Sequence, residues 1–293
     1  MTYKHFTNRL RIRRGRRGYS FVVNKALASY GRFKADSFRR RIVRPFDEIF
    51  SRVSIETRTD CNLKCSFCPQ SINPRPNLTM AKDVFEQIID ELAEMNFAGR
   101  ICPLVNNEPL LDDRITDLIG YARQKCPLSF LELLTNGRLL TRELLFDLFA
   151  AGLDSLIIND YRPDRDRHPF KLSANLNEIV GLTQDMFRKK VSISLRSTSE
   201  QLGNRAGNIA ATTKPLVRQF CALPFTGMWI QPEGKAVICC QDFRYQEIMG
   251  DVGENTLQEV WFSDKYRRIR EELYNKDRTS KICQKCDYPG APL

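Results

Sequence analysis

The sequence is poor in histidine and has no long apolar run. Its only histidines are His5 and His168, so any metal site in this chain depends on cysteine. No apolar run approaches the ~20 residues that a membrane-spanning helix needs, and the N-terminus lacks the apolar segment of a secretory signal. We therefore expect a cytoplasmic protein, in which ten cysteines indicate metal ligation rather than disulfides.

Acidic residues are almost missing from the first 45 positions, which hold fourteen Lys or Arg against Asp36 alone. The net charge of +11 therefore comes from this arm, and the rest of the chain is near neutral. The arm is expected either to contact an anionic partner or to be a solvated extension that packs on the body. Apolar residues between Tyr19 and Tyr30 indicate one amphipathic helix within it.

Three cysteines share one short loop, at Cys61, Cys65 and Cys68. A structural zinc ion nearly always takes four ligands. A four-iron cluster held by only three cysteines instead keeps one iron open to a ligand from outside the protein. The loop follows a predicted strand, as a cofactor loop on an α/β scaffold should. A zinc half-site completed from elsewhere and merely buried thiols are the alternatives.

This Cys-x3-Cys-x2-Cys loop, with Phe67 before its last cysteine, resembles the signature of the radical S-adenosylmethionine (radical SAM) enzymes. The resemblance implies a [4Fe-4S] cluster on the three cysteines, with S-adenosylmethionine bound at its open iron. It also implies reductive cleavage of that cofactor, with an electron from a flavodoxin- or ferredoxin-type reductant. The resulting 5′-deoxyadenosyl radical would abstract hydrogen from a C–H bond of the substrate.

Predicted strands and helices alternate through the middle of the chain. The strands are expected at 52–57, 100–105, 130–134, 154–158 and 191–195, and the helices at 80–96, 113–123, 142–151 and 176–187. This order predicts an α/β protein with a parallel sheet and helices outside it, as a closed or partial β/α barrel. The resemblance implies the partial (β/α)6 barrel of the radical SAM enzymes. We expect a basic extension at 1–48, the barrel at 49–215 and a small C-terminal domain at 216–293.

Several strand-end residues match cofactor-binding positions of the family. The segment from Asn106 to Pro109 lies where radical SAM enzymes usually carry Gly-Gly-Glu-Pro, whose backbone and acid meet the methionine amino group. Both glycines are asparagine here, a residue that tolerates left-handed backbone angles, so the turn is expected to persist. By the same resemblance, adenine, ribose and methionine carboxylate contacts are expected from other strand ends. The cofactor-binding residues predicted in this way are Phe67, Asn106, Asn107, Glu108, Asn136, Ser194 and Arg196. For the last two, a plain strand-end role is the alternative.

Four further cysteines lie in the last third, at Cys221, Cys239, Cys283 and Cys286. The segment 221–239 predicts a β-hairpin with a glycine-containing turn, and 257–273 predicts a helix. Taken alone, four thiols would favour structural zinc. Beside a radical SAM loop they resemble the SPASM/Twitch extension, which implies one auxiliary [4Fe-4S] cluster. The longer form carries cysteines for a second auxiliary cluster, whereas this chain ends seven residues after Cys286.

The resemblance implies oxidation or epimerisation of a polar small molecule such as a sugar or aminocyclitol, with phosphorylated and nucleotide-linked forms left open. Arg205 is a candidate for substrate contact or proton acceptance, against a bridging role between domains. Cys240 is a candidate hydrogen donor in epimerisation, against a buried free thiol. Cys102 and Cys126 are expected to be structural. Two other functions stay open, namely maturation of a ribosomally made peptide and a zinc protein that binds nucleic acid through the arm.

Overall fold

The computed structural model describes residues 48–162, 172, 174–187, 189–200, 202–209, 220–288 and 290. The basic arm, both histidines and the expected domain boundary near 215 lie outside these residues. Within the described ranges, every helix is too short or too polar to cross a bilayer.

A single eight-stranded sheet runs through both halves of the described chain, in the order β5-β4-β3-β2-β1-β6-β7-β8. Its strands are β1 (Arg52–Ile55), β2 (Arg100–Cys102), β3 (Phe130–Thr135), β4 (Ser155–Arg162), β5 (Val191–Ser197), β6 (Gly227–Ile230), β7 (Lys235–Val237) and β8 (Ile248–Asp251). Strands β1 to β5 are parallel neighbours, which confirms the predicted α/β architecture.

The sixth parallel strand does not extend the sheet beyond β5. Instead β6, from the C-terminal third, pairs with the free side of β1, and β7 and β8 continue antiparallel from it. The predicted hairpin is confirmed, and Gly234 takes a φ of +82° in its turn, a conformation that glycine adopts without penalty. The C-terminal segment therefore adds to the same sheet as the barrel strands.

Eight helices accompany the sheet in the part of the chain that the structure describes. They are α1 (Pro69–Ile72), α2 (Lys82–Glu94), α3 (Ile115–Lys125), α4 (Arg142–Ala150), α5 (Ala174–Asp185), α6 (Leu223–Thr226), α7 (Leu257–Trp261) and α8 (Asp264–Tyr274), with 3₁₀ turns at Pro109–Leu111 and Cys283–Lys285. The segment predicted to be helical at 257–273 is helical in two pieces, because the side chain of Ser263 accepts from the backbone of Tyr266 and begins a second helix there.

The hydrophobic core is continuous across the two halves. Trp261 of α7 packs edge-on against Phe50, with 5.2 Å between ring centroids. The guanidinium of Arg270 lies 3.8 Å from the Trp261 ring and donates to the carbonyl of Pro224 at 2.8 Å. Arg270 is only 1% exposed, and these contacts give its buried guanidinium a carbonyl acceptor and an aromatic neighbour while they hold α8 against the sheet. The C-terminal cysteines are thereby fixed relative to the barrel.

Candidate active site and auxiliary centre

The cysteine loop leaves the carboxyl end of β1 and is fastened across the sheet. The backbone and side chain of Ser66 both donate to the carbonyl of Thr198, at 2.9 and 3.0 Å. Thr198 lies just beyond β5, four strands away from β1, so the sheet curves into a partial barrel beneath the loop. The backbone of Cys68 donates to Cys65 at 3.0 Å and closes a tight turn. This turn holds the last two cysteines of the loop close together.

The thiols of this loop need a positive charge to ionise. Burial raises the pKa of Cys65 to about 12 and that of Cys61 to about 11, and the neighbouring Cys68 acts in the same direction on both. Bound iron supplies the charge that keeps such groups as thiolates. Among the residues that the structure describes, no three His, Cys, Asp or Glu side chains are placed to hold a single metal ion. Three free thiols in one loop instead fit a cluster, which takes each cysteine on a separate iron.

The Glu108 carboxylate, predicted to face the cofactor, is turned into the protein. It accepts from the hydroxyl of Thr135 at 2.5 Å and from the backbones of Asn136 and Leu110 at 2.7 and 3.1 Å. Its own backbone N–H donates to Asp60 at 2.9 Å, immediately before the cysteine loop. Glu108 is 2% exposed, and burial raises its pKa. Its observed contacts therefore tie the ends of β1, β2 and β3 together.

The two asparagines of the same turn face different neighbours. Neither has a positive φ, so the replaced glycines are not needed for this backbone conformation. Asn106 donates its backbone N–H to Glu56 at 2.9 Å and its side-chain amide to the carbonyl of Cys240 at 3.0 Å. Asn107 is 8% exposed, and its amide nitrogen has no hydrogen-bond partner. Asn107 thus offers a buried donor of the kind that a bound cofactor could satisfy.

Asn136 contacts the cysteine loop, and Phe67 is part of it. The Asn136 amide donates to the side chain of Asn62 at 2.7 Å and lies 3.9 Å from the sulfur of Cys61. The ring of Phe67 packs at a tilt against Tyr161 of β4, with 5.3 Å between centroids. These two contacts hold the loop in place.

Ser194 and Arg196 lie within β5 rather than at its end, because the strand continues to Ser197. They pair in register with Asn159 and Tyr161 of β4. The Arg196 guanidinium forms an ion pair with Glu200 at 2.7 Å, while its Nε is buried without a hydrogen-bond partner. One donor of Arg196 is therefore available for the predicted carboxylate contact.

A buried ion pair that the sequence does not reveal braces the turn at Asn106. Arg75 forks onto both oxygens of Glu56, at 2.8 and 3.0 Å, and their side chains are 4% and 0% exposed. The hydroxyl of Tyr245 donates to the same carboxylate at 2.6 Å, and the ring of Phe243 lies 4.2 Å from the guanidinium. This Glu56 cluster joins the end of β1 to the C-terminal segment.

Replacing Arg75 with methionine should cost about 3–5 kcal/mol of unfolding free energy, since it leaves the Glu56 carboxylate buried and unpaired. Anaerobic urea unfolding would measure the loss. Lys82→Met is the matched control, because it removes an ion pair to Glu86 in which the lysine side chain is 65% exposed. That control should leave the unfolding free energy close to that of the native protein, because an exposed ion pair contributes little. Equal losses in the two variants would contradict a structural role for the buried pair.

The second cysteine set is assembled from three separate segments. Cys221 lies before α6, Cys239 follows β7, and Cys283 and Cys286 flank a 3₁₀ turn, all four being buried. Burial is the main reason that the pKa of Cys221 is raised to about 12, and the charges of Cys283 and Cys286 act in the same direction. Burial likewise raises the pKa of Cys239 well above its usual range, with contributions from Cys221 and Cys283. The four thiols are thus near enough to influence one another.

The backbone packs closely around this set. A Cβ added at Gly290, whose φ is +71°, would lie 2.9 Å from the sulfur of Cys221. The backbone N–H of Tyr288 donates to the sulfur of Cys286 at 3.4 Å, and Arg278 donates to the Tyr288 carbonyl at 3.2 Å. Four buried thiols, an N–H···S bond and a nearby cation fit a cluster ligated entirely by cysteine.

A cavity of about 540 Å³ opens between the barrel strands and the C-terminal domain. Side chains from β1 to β4, Trp229 of β6 and the segment 202–205 form its walls, together with residues that adjoin the second cysteine set. Both predicted catalytic residues, Arg205 and Cys240, line it. Cys102, which we expected to be purely structural, lines it as well. No sequence signal predicts this position for Cys102, because a strand pattern alone does not distinguish a packed interior from one that contains a cavity.

Arg205 is presented to the cavity from a constrained loop. Arg205 and Ala206 have φ values of +48° and +54°, which non-glycine residues adopt only when their surroundings enforce it. Asn204 supplies that enforcement, since its backbone donates to Asp287 at 2.9 Å and its amide to Lys285 at 2.6 Å. The bridging role considered for Arg205 therefore belongs to Asn204, and the Arg205 Nε is buried without a hydrogen-bond partner.

Comparison with known families places two domains on the chain. The model for the radical SAM superfamily matches residues 55–168, and the model for the SPASM iron-sulfur cluster-binding domain matches residues 221–287. Each stretch contains one of the two cysteine sets. The first domain implies a [4Fe-4S] cluster and S-adenosylmethionine, and the second implies an auxiliary iron-sulfur cluster. Both matches favour iron-sulfur clusters over the alternative of a non-enzymatic zinc protein.

Two similar proteins cover different shares of the chain. The S-adenosyl-L-methionine-dependent 2-deoxy-scyllo-inosamine dehydrogenase of Niallia circulans is 26% identical over 246 residues, which are 82% of this chain and 94% of the relative. A GTP 3′,8-cyclase of Synechococcus sp. (strain WH7803) is 34% identical over 124 residues, 40% of this chain and 34% of the relative.

Solved structures give the same picture of the fold. The crystal structure of BtrN in complex with AdoMet and 2-DOIA superposes with a TM-score of 0.71 at 25% identity, and covers 83% of this chain and 94% of that one. The structure of native anSMEcpe with bound AdoMet has a TM-score of 0.54 at 10% identity over 82% of this chain and 89% of that one, a likeness of fold alone.

Proposed function

We propose that this chain, a radical SAM enzyme with a C-terminal SPASM domain, oxidises a secondary alcohol of a cyclitol or sugar to a ketone. The observation that carries the proposal is the cavity, whose walls come from both cysteine-bearing domains. Its volume of about 540 Å³ suits a small molecule rather than an extended peptide. The similarity to an inosamine dehydrogenase over 82% of the chain supports the same chemistry.

The residues that would hold the cofactors follow from the two cysteine sets. Cys61, Cys65 and Cys68 would ligate the cluster that binds S-adenosylmethionine, with Asn107 and Arg196 offering donors to that cofactor. Four ligands for the auxiliary cluster come from the C-terminal domain, namely Cys221, Cys239, Cys283 and Cys286. With an electron from a flavodoxin- or ferredoxin-type reductant, the first cluster and S-adenosylmethionine would supply hydrogen abstraction at the carbinol carbon. The auxiliary cluster would supply an acceptor for the second electron.

Arg205 is proposed to bind the reacting oxygen of the substrate. Its guanidinium stays protonated in proteins, so it acts as a hydrogen-bond donor rather than as a base. Charge-assisted donation would stabilise the alkoxide that forms when the hydroxyl of the substrate radical releases its proton to solvent. The loop contacts of Asn204 fix the position of Arg205 before substrate arrives, which reduces the ordering that binding requires.

The test uses 2-deoxy-scyllo-inosamine carrying deuterium at the carbinol carbon to be oxidised. The anaerobically reduced enzyme should release 5′-deoxyadenosine that contains one deuterium and a ketone in equal amount, both measured by mass spectrometry. A neutral cyclitol, a neutral sugar and a sugar phosphate or sugar acid with the same labelling widen the test. Formation of 5′-deoxyadenosine without deuterium transfer from any of these rings would overturn the proposal.

Epimerisation is the second candidate, and Cys240 is the observation that favours it. Its thiol lines the cavity beside Arg205 and is only partly buried, so it can return a hydrogen atom to a substrate radical. In D₂O an epimerase would give an inverted alcohol with one solvent-derived deuterium and no ketone. Cys240→Ala would then stop inversion, whereas a dehydrogenase would keep making ketone.

A further inference from the structure

The charged groups on the cavity wall are mostly cationic. Arg52, Arg100 and Arg205 line the cavity, against Glu132 and Asp287. A bound ring with charged substituents must find partners among these five groups, because an unpaired charge in an enclosed site is costly. The charge that the site favours on a substrate therefore depends on which of these five groups already have partners within the protein.

Glu132 is fully engaged within the protein. One of its oxygens accepts from Arg52 and the other from Arg100, each at 2.6 Å, and its side chain is 5% exposed. Both bonds are charge-assisted and short, so they are the strong kind. Glu132 is therefore not available to a substrate ammonium group.

Asp287 is engaged by the loop that carries Arg205. It accepts from the backbone of Asn204 at 2.9 Å, and it packs so closely that a Cβ on Gly203 would lie 2.8 Å from its Oδ1. Asp287 is 5% exposed. The second carboxylate of the wall thus serves the loop rather than the ligand.

The arginines, in contrast, keep unused donors. The Nε atoms of Arg52 and Arg205 are buried, and neither has a hydrogen-bond partner. A buried N–H group without a partner favours a ligand that brings an acceptor.

We propose that the substrate ring carries an anionic substituent, a phosphate or a carboxylate, that accepts a hydrogen bond from Arg52. With Arg205 assigned to the reacting oxygen, Arg52 is the remaining cation of the wall with an unused buried donor. An amino substituent finds no available carboxylate on the wall and is disfavoured. The inference takes the ring and the site from the proposed function and adds the charge of the substrate.

The test uses four sugars that share the glucose ring and differ in one substituent, namely glucose, glucosamine, glucuronate and glucose 6-phosphate. Each is titrated calorimetrically into the anaerobic holoenzyme with S-adenosylmethionine bound, a measurement that does not depend on turnover. At least one anionic sugar should bind about tenfold tighter than glucose, as a charge-assisted hydrogen bond allows, and glucosamine should bind weakest. The glucuronate and phosphate arms show which anion the site takes.

Arg52→Gln should bring the anionic sugar to within about threefold of glucose, since the charged donor is lost. Arg100→Gln is the matched control, because it removes the other ion pair to Glu132 and leaves the Arg52 Nε in place. It should keep most of the discrimination. Tightest binding by glucosamine, no binding by either anionic sugar, or equal effects of the two variants would overturn the inference. Oxidation of a neutral or amino ring in preference to an anionic one would also overturn it while leaving the proposed function intact.

Discussion

Cys65→Ala should abolish the reductive cleavage of S-adenosylmethionine, with 5′-deoxyadenosine falling to the level of an enzyme-free control. A four-iron cluster with one open iron needs all three thiolates of the loop. Loss of one thiolate therefore removes the cluster and the iron that would bind S-adenosylmethionine. The loop itself should persist, because Ser66 is anchored to Thr198 through its own backbone and hydroxyl. Iron content should fall from about eight to about four atoms per chain, as expected for loss of one of two four-iron clusters.

The matched control for that variant is Cys126→Ala. Cys126 is also buried and free, but its sulfur lies 3.6 Å from the carbonyl of Ile89, away from both cysteine sets. This variant should keep its full iron content and cleave S-adenosylmethionine at the native rate. Anaerobic iron analysis and chromatography of 5′-deoxyadenosine measure both variants. Undiminished cleavage by Cys65→Ala would show that this thiol is not a ligand.

Local patterns in the sequence predicted the parts of the fold that local forces determine. The alternation of strands and amphipathic helices follows from side-chain periodicity, and α2 shows it with Phe85, Ile88, Ile89 and Leu92 buried on one face. The hairpin at Gly234 follows from turn chemistry. The two cysteine sets stand out because thiols at short spacings have few other uses in a long chain.

Long-range pairing was not predictable from such patterns. Nothing local tells that β6 lies beside β1, since the two strands are separated by more than 170 residues along the chain. The Glu56 cluster depends on Tyr245, which is 189 residues away. Glu108 was expected to meet the cofactor because it matches the acid of the Gly-Gly-Glu-Pro turn in the radical SAM family. Its orientation is instead set by Thr135 and Asn136, which meet it only after β2 and β3 have paired.

Loss of a C-terminal cysteine should stop ketone formation without stopping the cleavage of S-adenosylmethionine. Cys283→Ala removes one of the four thiolates of the auxiliary set and should leave 5′-deoxyadenosine formation at the native order of magnitude. The ketone should fall below detection, because oxidation of a secondary alcohol releases a second electron that needs an acceptor near the cavity. Cys240 and Asp287, which line the cavity, adjoin Cys239 and Cys286 of this set. Quantifying ketone and 5′-deoxyadenosine in one reaction gives the ratio directly.

The fold should survive the Cys283→Ala change well enough for this ratio to be read. The C-terminal domain is held by more than its thiols, since Arg270 binds the Pro224 carbonyl and packs on Trp261, and β6 pairs with β1. Circular dichroism and retention of about four irons per chain would confirm that the barrel is intact. If the two products still form in equal amounts in a variant that has lost its auxiliary iron, the second electron leaves by another route, and the C-terminal cluster then serves the structure rather than the chemistry.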